Sequence, residues 1–257
     1  MDQVLDTKLK KLLTTWPQGT VLLSSELNKR GIGYDLQNRY RNSGWIKSIG
    51  QGAVVKTGDN VTWQGAVYAL QKQGHLPVHV GAKTALELYG LGHYLNLSQE
   101  KIQLFGPQSS RLPKWFSDFQ WNGKLEYYRN SLFSSDKKLG IQVFDLKTFS
   151  VEVSSPERAF MELLLLVPNK ESLKEAFLIS EGLTTLRPSL VQKLLEACTS
   201  IKVKRLFLYM AEKQNHQWFK RISLENIDLG KGDRQIIKGG QLDPKYRITV
   251  PRTNDER

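Results

Sequence analysis

The sequence predicts an α+β protein, an N-terminal winged helix-turn-helix followed by a larger mixed α/β C-terminal domain. Three observations predict it. Between residues 20 and 56, a short apolar run, two brief helical patterns separated by glycines and a glycine-tipped pair of β-like runs follow in the order of a winged helix. Beyond about residue 96 the pattern changes to strand-like segments and then to helical ones. The composition is that of an ordinary folded chain: of 257 residues 40% are hydrophobic and 24% charged, with six Trp, nine Tyr and ten Phe, enough for a sizeable core.

Residues 2–16 carry Leu5, Leu9, Leu12, Leu13 and Trp16 at helical spacing, with Lys8, Lys10 and Lys11 elsewhere on the helix; Pro17 and Gly19 stop it. Residues 20–23 suit a short strand. Ser24 or Ser25 is a good N-cap for a helix over 26–29, and Gly31 and Gly33 bracket Ile32 as the tight turn. The second helix spans about 34–42, with Leu36 and Tyr40 facing the core and Gln37, Asn38, Arg39, Arg41 and Asn42 facing out; Gly44 ends it. Two β-like runs, 45–49 and 53–56, then flank Gly50-Gln51-Gly52 and read as a wing. A helix over 63–73 follows, capped by Thr62 or Asp59, then a strand at 78–80 and a helix at 83–89. The domain boundary is expected near residues 92–100, giving domains 1–95 and 96–257. The second domain is expected to hold strands at 101–105, 124–129, 141–146 and 149–153, then helices at 155–167, 172–179, 188–198 and 202–213, and a tail of short β-like pieces. Ser155-Pro156-Glu157 reads as a helix start with a serine N-cap and proline at the first position.

Charge points to a polyanionic partner. The formal net charge is +12, with net +4 in residues 1–60, +2 in 61–199 and +7 in 200–252. Base edges in the major groove are read by side chains with several hydrogen-bonding modes, and Gln37, Asn38, Arg39, Arg41 and Asn42 offer those that suit adenine and guanine. Ser25, Tyr34 and Ser43 are candidate phosphate contacts, and Lys47, Gln51 and Lys56 would meet backbone or minor groove from the wing. Lys202, Lys204 and Arg205, with Lys231 and Arg234, form a candidate second basic patch.

Other chemistries find little support. The lone cysteine, Cys198, lies in an apolar run and reads as a small core residue, which excludes a disulfide framework and favours a cytoplasmic location. No signal peptide and no run long enough to span a bilayer is evident. His75 and His79 are separated by Pro77, and no carboxylate cluster accompanies them, so neither metal nor cofactor is expected. An acid-x-Lys pattern at Asp145-Leu146-Lys147, with Glu126 upstream, is a minimal nuclease signature, but solvent-facing turns also favour these residues. No catalytic residue is assigned.

Several stretches in series carry a resemblance. Tyr34-Asp35-Leu36-Gln37-Asn38-Arg39-Tyr40-Arg41-Asn42-Ser43-Gly44-Trp45 with its wing, Ala66–Leu70, Val80–Leu86, Ser155–Ala159, Gly230-Lys231-Gly232-Asp233-Arg234 and Lys245–Pro251 resemble the AbiEi antitoxins of phage-protective toxin–antitoxin systems. The resemblance implies a winged helix that represses its own operon by binding inverted repeats in double-stranded promoter DNA. It also implies a C-terminal domain that counters a cognate nucleotidyltransferase-like toxin, with or without direct binding. A toxin-binding adaptor and a DNA-targeted nuclease stand as alternatives.

Overall fold

A computed structural model describes residues 2–92, 101–133 and 136–251. The side chain of Leu5 and most of the expected domain boundary, at 93–100, lie outside the described residues. The chain clusters into two compact units: residues 1–79, 99–129 and 143–152 in the first, and 80–98, 130–142 and 153–257 in the second.

The first unit begins with α1 (Asp2–Thr15), β1 (Leu22–Leu23), α2 (Ser24–Lys29), α3 (Tyr34–Asn42) and the hairpin β2 (Ile46–Gly50) and β3 (Ala53–Lys56). β3 is central in an antiparallel sheet of order β1-β3-β2. Leu12 and Trp16 from α1, Leu27 from α2, Ile32, Tyr40 from α3, and Leu22, Ile46 and Val54 from the sheet make one buried cluster, with Leu9 and Leu36 against it. Burying these apolar faces together drives the assembly, because α2 and α3 are too short to be stable alone.

Two local expectations change. Neither Ser24 nor Ser25 caps α2. The chain leaves β1 directly into the helix, Leu23 occupies the N-cap, and the Ser24 amide donates to the Gly52 carbonyl (2.9 Å). Of the two glycines in the turn only Gly31 is left-handed, at φ +75°, while Gly33 is the extended N-cap of α3.

α4 (Trp63–Tyr68) is capped by Thr62, whose hydroxyl accepts from the Gly65 amide (3.3 Å); Asp59 instead accepts from the Gly19 amide (2.8 Å). The helix then widens into a π-turn over Ala69–Gln73. That turn holds two buried amides: Gln71 donates to the carbonyls of Val78 and Glu152, and Gln73 bonds the backbone of Val21 and Leu23.

A five-stranded sheet has the order β6-β5-β4-β8-β7, from β4 (His79–Val80), β5 (Lys101–Gly106), β6 (Lys124–Arg129), β7 (Ile141–Asp145) and β8 (Ser150–Ser154). β5 and β6 run parallel, joined through the short helix α6 (Lys114–Ser117); α5 (Ala82–Leu88) precedes them in the chain.

The second unit is organised on α7 (Pro156–Leu166), whose predicted stripe of Phe160, Leu163 and Leu164, continued by Val167, is buried. Ser155 does occupy its N-cap, but the hydroxyl makes no capping bond; its amide donates to the Gly140 carbonyl (2.7 Å). α7 also buries Arg158 and Glu162, which bond each other (2.8 Å), with Arg158 donating further to the Lys137 and Leu139 carbonyls. α8 (Leu173–Glu181), α9 (Pro188–Ala197) and α10 (Ile201–Lys213) follow, then a 3₁₀ turn at Gln217–Arg221. The tail forms a small sheet of order β10-β11-β9, from β9 (Arg234–Gln235), β10 (Gln241–Asp243) and β11 (Ile248–Val250).

Candidate nucleic-acid interface

α3 sits between the turn at Gly31 and the wing. Its inner face is fixed by Tyr40, buried, and Leu36, half-buried. Gln37 joins that inner face and is fully buried, which corrects its assignment as a base reader. Its Nε2 lies within reach of the Ile32 carbonyl (2.9 Å), the Asn28 side chain (3.0 Å) and the Ser24 carbonyl (3.3 Å). One amide therefore ties α3 to both ends of α2 and to the turn, setting the angle between the two helices.

The outer face holds Tyr34, Asn38, Arg39 and Asn42, all exposed, with Arg41 half-buried. Arg41 donates to the Asn38 side chain, so the two are held in register before any ligand arrives. Ser25 is exposed on α2, Lys47 on β2 and Gln51 at the wing tip. Asp35 is an exposed carboxylate on the same helix. The sequence reading missed Trp45, 49% exposed at the junction of α3 and the wing; together with Tyr34, 65% exposed, it puts a large aromatic near each end of α3. The sequence reading placed Trp45 at the head of the first wing run, but the strand begins only at Ile46.

Lys56 does not face outward. Its ammonium donates to the carbonyls of Leu13 (3.1 Å) and Trp16 (2.6 Å) and lies over the Trp16 ring, closing the C-terminal end of α1. The second basic patch is likewise not assembled as expected. Lys204 and Arg205 are buried, at 4% and 2% exposure. Lys204 donates to the Asp228 carbonyl (2.9 Å), and Arg205 to those of Leu229, Gly230, Gly232 and Arg247 at 2.7–3.1 Å. Lys202 donates to the Leu165 (2.8 Å) and Val167 carbonyls at the end of α7. These cations are consumed by the fold; Lys231 and Arg234 remain exposed.

The minimal nuclease signature does not converge. Glu126 on β6 and Asp145 on β7 lie on opposite edge strands, four strand spacings or roughly 19 Å apart. Glu126 accepts from the Tyr128 hydroxyl (2.6 Å) and Lys124 (3.2 Å), while Asp145 accepts from the Lys147 amide in a turn (2.9 Å). Among the described residues no group of three His, Cys, Asp or Glu is placed to hold a metal. Cys198 is buried, and burial pushes its thiol up to about 11, far from nucleophilic use at neutral pH. No helix among the described residues is long and apolar enough to cross a membrane.

Comparison with known proteins bears on the whole chain. A family model described as a transcriptional regulator, AbiEi antitoxin N-terminal domain, matches residues 5–97, and one described as a transcriptional regulator, AbiEi antitoxin, type IV TA system, matches 99–251. The chain belongs to the AbiEi antitoxin family. AbiEi proteins, described as transcriptional regulators and antitoxins of type IV systems, are thus the frame for the geometry above. The crystal structure of the RV2827C protein from Mycobacterium tuberculosis is similar in fold, with a TM-score of 0.61 at 12% identity over 95% of this chain and 90% of that one. A comparison with curated proteins returned no match.

Proposed function

We propose that this AbiEi chain is an autorepressor and antitoxin without catalytic activity. It binds inverted repeats in its own promoter and counters a cognate nucleotidyltransferase-like toxin in the cytoplasm. The observation that carries the DNA-binding half is the outer face of α3, where Asn38, Arg39, Arg41 and Asn42 lie beside a wing that exposes Lys47 and Gln51, on a helix locked from behind by Gln37. Asn suits adenine and Arg suits guanine in the major groove. Tyr34, Ser25, Lys47 and Gln51 are assigned to positioning contacts with phosphate and sugar. Family membership supports the antitoxin half, which we assign to residues 96–257, with DNA recognition in 1–95.

Asn38→Ala and Arg41→Ala are each expected to cost about 1–3 kcal/mol on the specific promoter site. Because the two side chains bond each other, the double variant should lose less than the sum. A gel-shift titration against the promoter duplex measures both; parental affinity in both single variants would remove α3 as the reader. Rescue of toxin-expressing cells, tested in parallel, should be kept by these variants; stable capture of toxin with no promoter binding would instead favour an adaptor.

A further inference from the structure

The wing of this winged helix is not built by the first family match alone. Gly50, at the tip of β2, lies against Trp115 of α6, a residue of the second match. A Cβ placed on Gly50 would stand 2.8 Å from the Trp115 Cβ and 2.9 Å from its Cα, so the backbone of β2 touches the backbone and side-chain root of α6 directly. The adjoining irregularity in the hairpin falls between Ser48 and Gly50, and Gly50 has φ +148°.

Trp115 is itself immobilised. It is 6% exposed and packs edge-on against Phe116, which is fully buried. Phe116 packs against Trp121, whose indole N–H donates to the Phe116 carbonyl (2.8 Å), and Phe119 packs at a tilt on Trp121. The hairpin therefore rests on a rigid aromatic block. Residues 1–79 and 99–129 accordingly cluster in one compact unit, across the junction of the two family matches at 97–99.

We infer that Trp115 is a positioning residue for DNA recognition: the antitoxin module supplies the block that sets the wing's angle, and with it the wing's phosphate contacts. This rests on the DNA-binding reading proposed above. It makes the DNA reader a composite of both matched segments, so that changes in the second reach the operator through the wing.

The test uses the full chain. Gly50→Ala drives a methyl into Trp115, and Trp115→Ala removes the indole; Gly52→Ala is the control, sharing a left-handed φ (+82°) but meeting nothing within 4 Å. Hydrogen exchange of amides 46–56 should quicken in the first two variants and not in the control, with the amides of α3 unchanged. Titrated against the promoter duplex, the first two should show a log K against log salt slope shallower by about 0.9 for each lost phosphate contact. Their preference for promoter over shuffled duplex should persist. Parental exchange and slope in Gly50→Ala, or equal changes in Gly52→Ala, would overturn the inference; Gly50→Ala carries the test if Trp115→Ala does not fold. The exchange readout needs no DNA, so failure of the parent to prefer its promoter would count against the DNA reading separately.

Discussion

At position 37 an amide faces inward, while its neighbour Asn38 faces solvent, and the difference follows from helical geometry. Gln37 lies three residues before Tyr40 and so shares its face, whereas Asn38 is turned a further 100° away. Reading 36 and 40 as the whole core stripe left out the third position of that face, and the polarity of glutamine disguised it. Gln37→Ala should cost about 1–3 kcal/mol in urea denaturation, because buried acceptors around it lose their donor; an unchanged midpoint would show that the α2–α3 angle is set without it. A second residue-scale prediction concerns acid. Burial alone would raise the Glu157 carboxyl, but bonds from the Arg187 side chain and amide (2.9–3.0 Å) outweigh it and hold the pKa below the ordinary value. A depressed carboxylate contributes stability that is present above its unfolded pKa, about 4.3, and is lost as pH falls through the folded value. Glu157→Gln should therefore flatten the loss of stability below about pH 4, read from denaturation midpoints across pH; an identical acid profile in parent and variant would contradict it.

The elements themselves were largely legible. Apart from α6, which no sequence pattern marked, the strands and helices from β5 through α10 fall within a few residues of their sequence patterns, because each carries a strong period and is bounded by Gly, Pro or polar turns. What the sequence hid was the destination of long cations. Lysine and arginine read as solvent-facing, yet Lys56 and Lys202 close the carbonyl ends of α1 and α7, where the helix dipole and orphan carbonyls favour a cation. Burial pulls the Lys202 pKa down, as expected for an ammonium held away from water. The wing lysines should accordingly part company. Lys47→Ala should weaken binding to all duplexes and make the salt dependence shallower by about 0.9. Lys56→Ala should lower thermal stability and leave that slope alone. Equal slopes for the two variants would refute the division.

Across the whole molecule, the net charge of +12 overstates the basic surface, since Lys56, Lys202, Lys204 and Arg205 are spent on backbone carbonyls. Arg205 in particular gathers the loop at 229–232 and the turn at Arg247 around one guanidinium, which gives the glycine-rich stretch Gly230-Lys231-Gly232 a structural task. Arg205→Glu would point a carboxylate at four carbonyls and should destabilise the chain by more than about 3 kcal/mol. A folded, fully stable variant by circular dichroism would contradict the buried geometry. The charge reversal that a surface patch would tolerate is thus a fold-breaking change, and spacing alone cannot distinguish the two cases, because the four acceptors come from residues 24 to 42 positions away.

The most direct test of the chain as a sequence-specific regulator is a fluorescence-anisotropy titration of the full protein against its own promoter duplex and a shuffled duplex of equal length and composition, at several salt concentrations. A winged-helix reader predicts tighter binding to the promoter by at least about 10³-fold at physiological salt, with that preference reduced by Asn38→Ala and Arg41→Ala. Equal affinity for both duplexes, unmoved by either substitution, would contradict it.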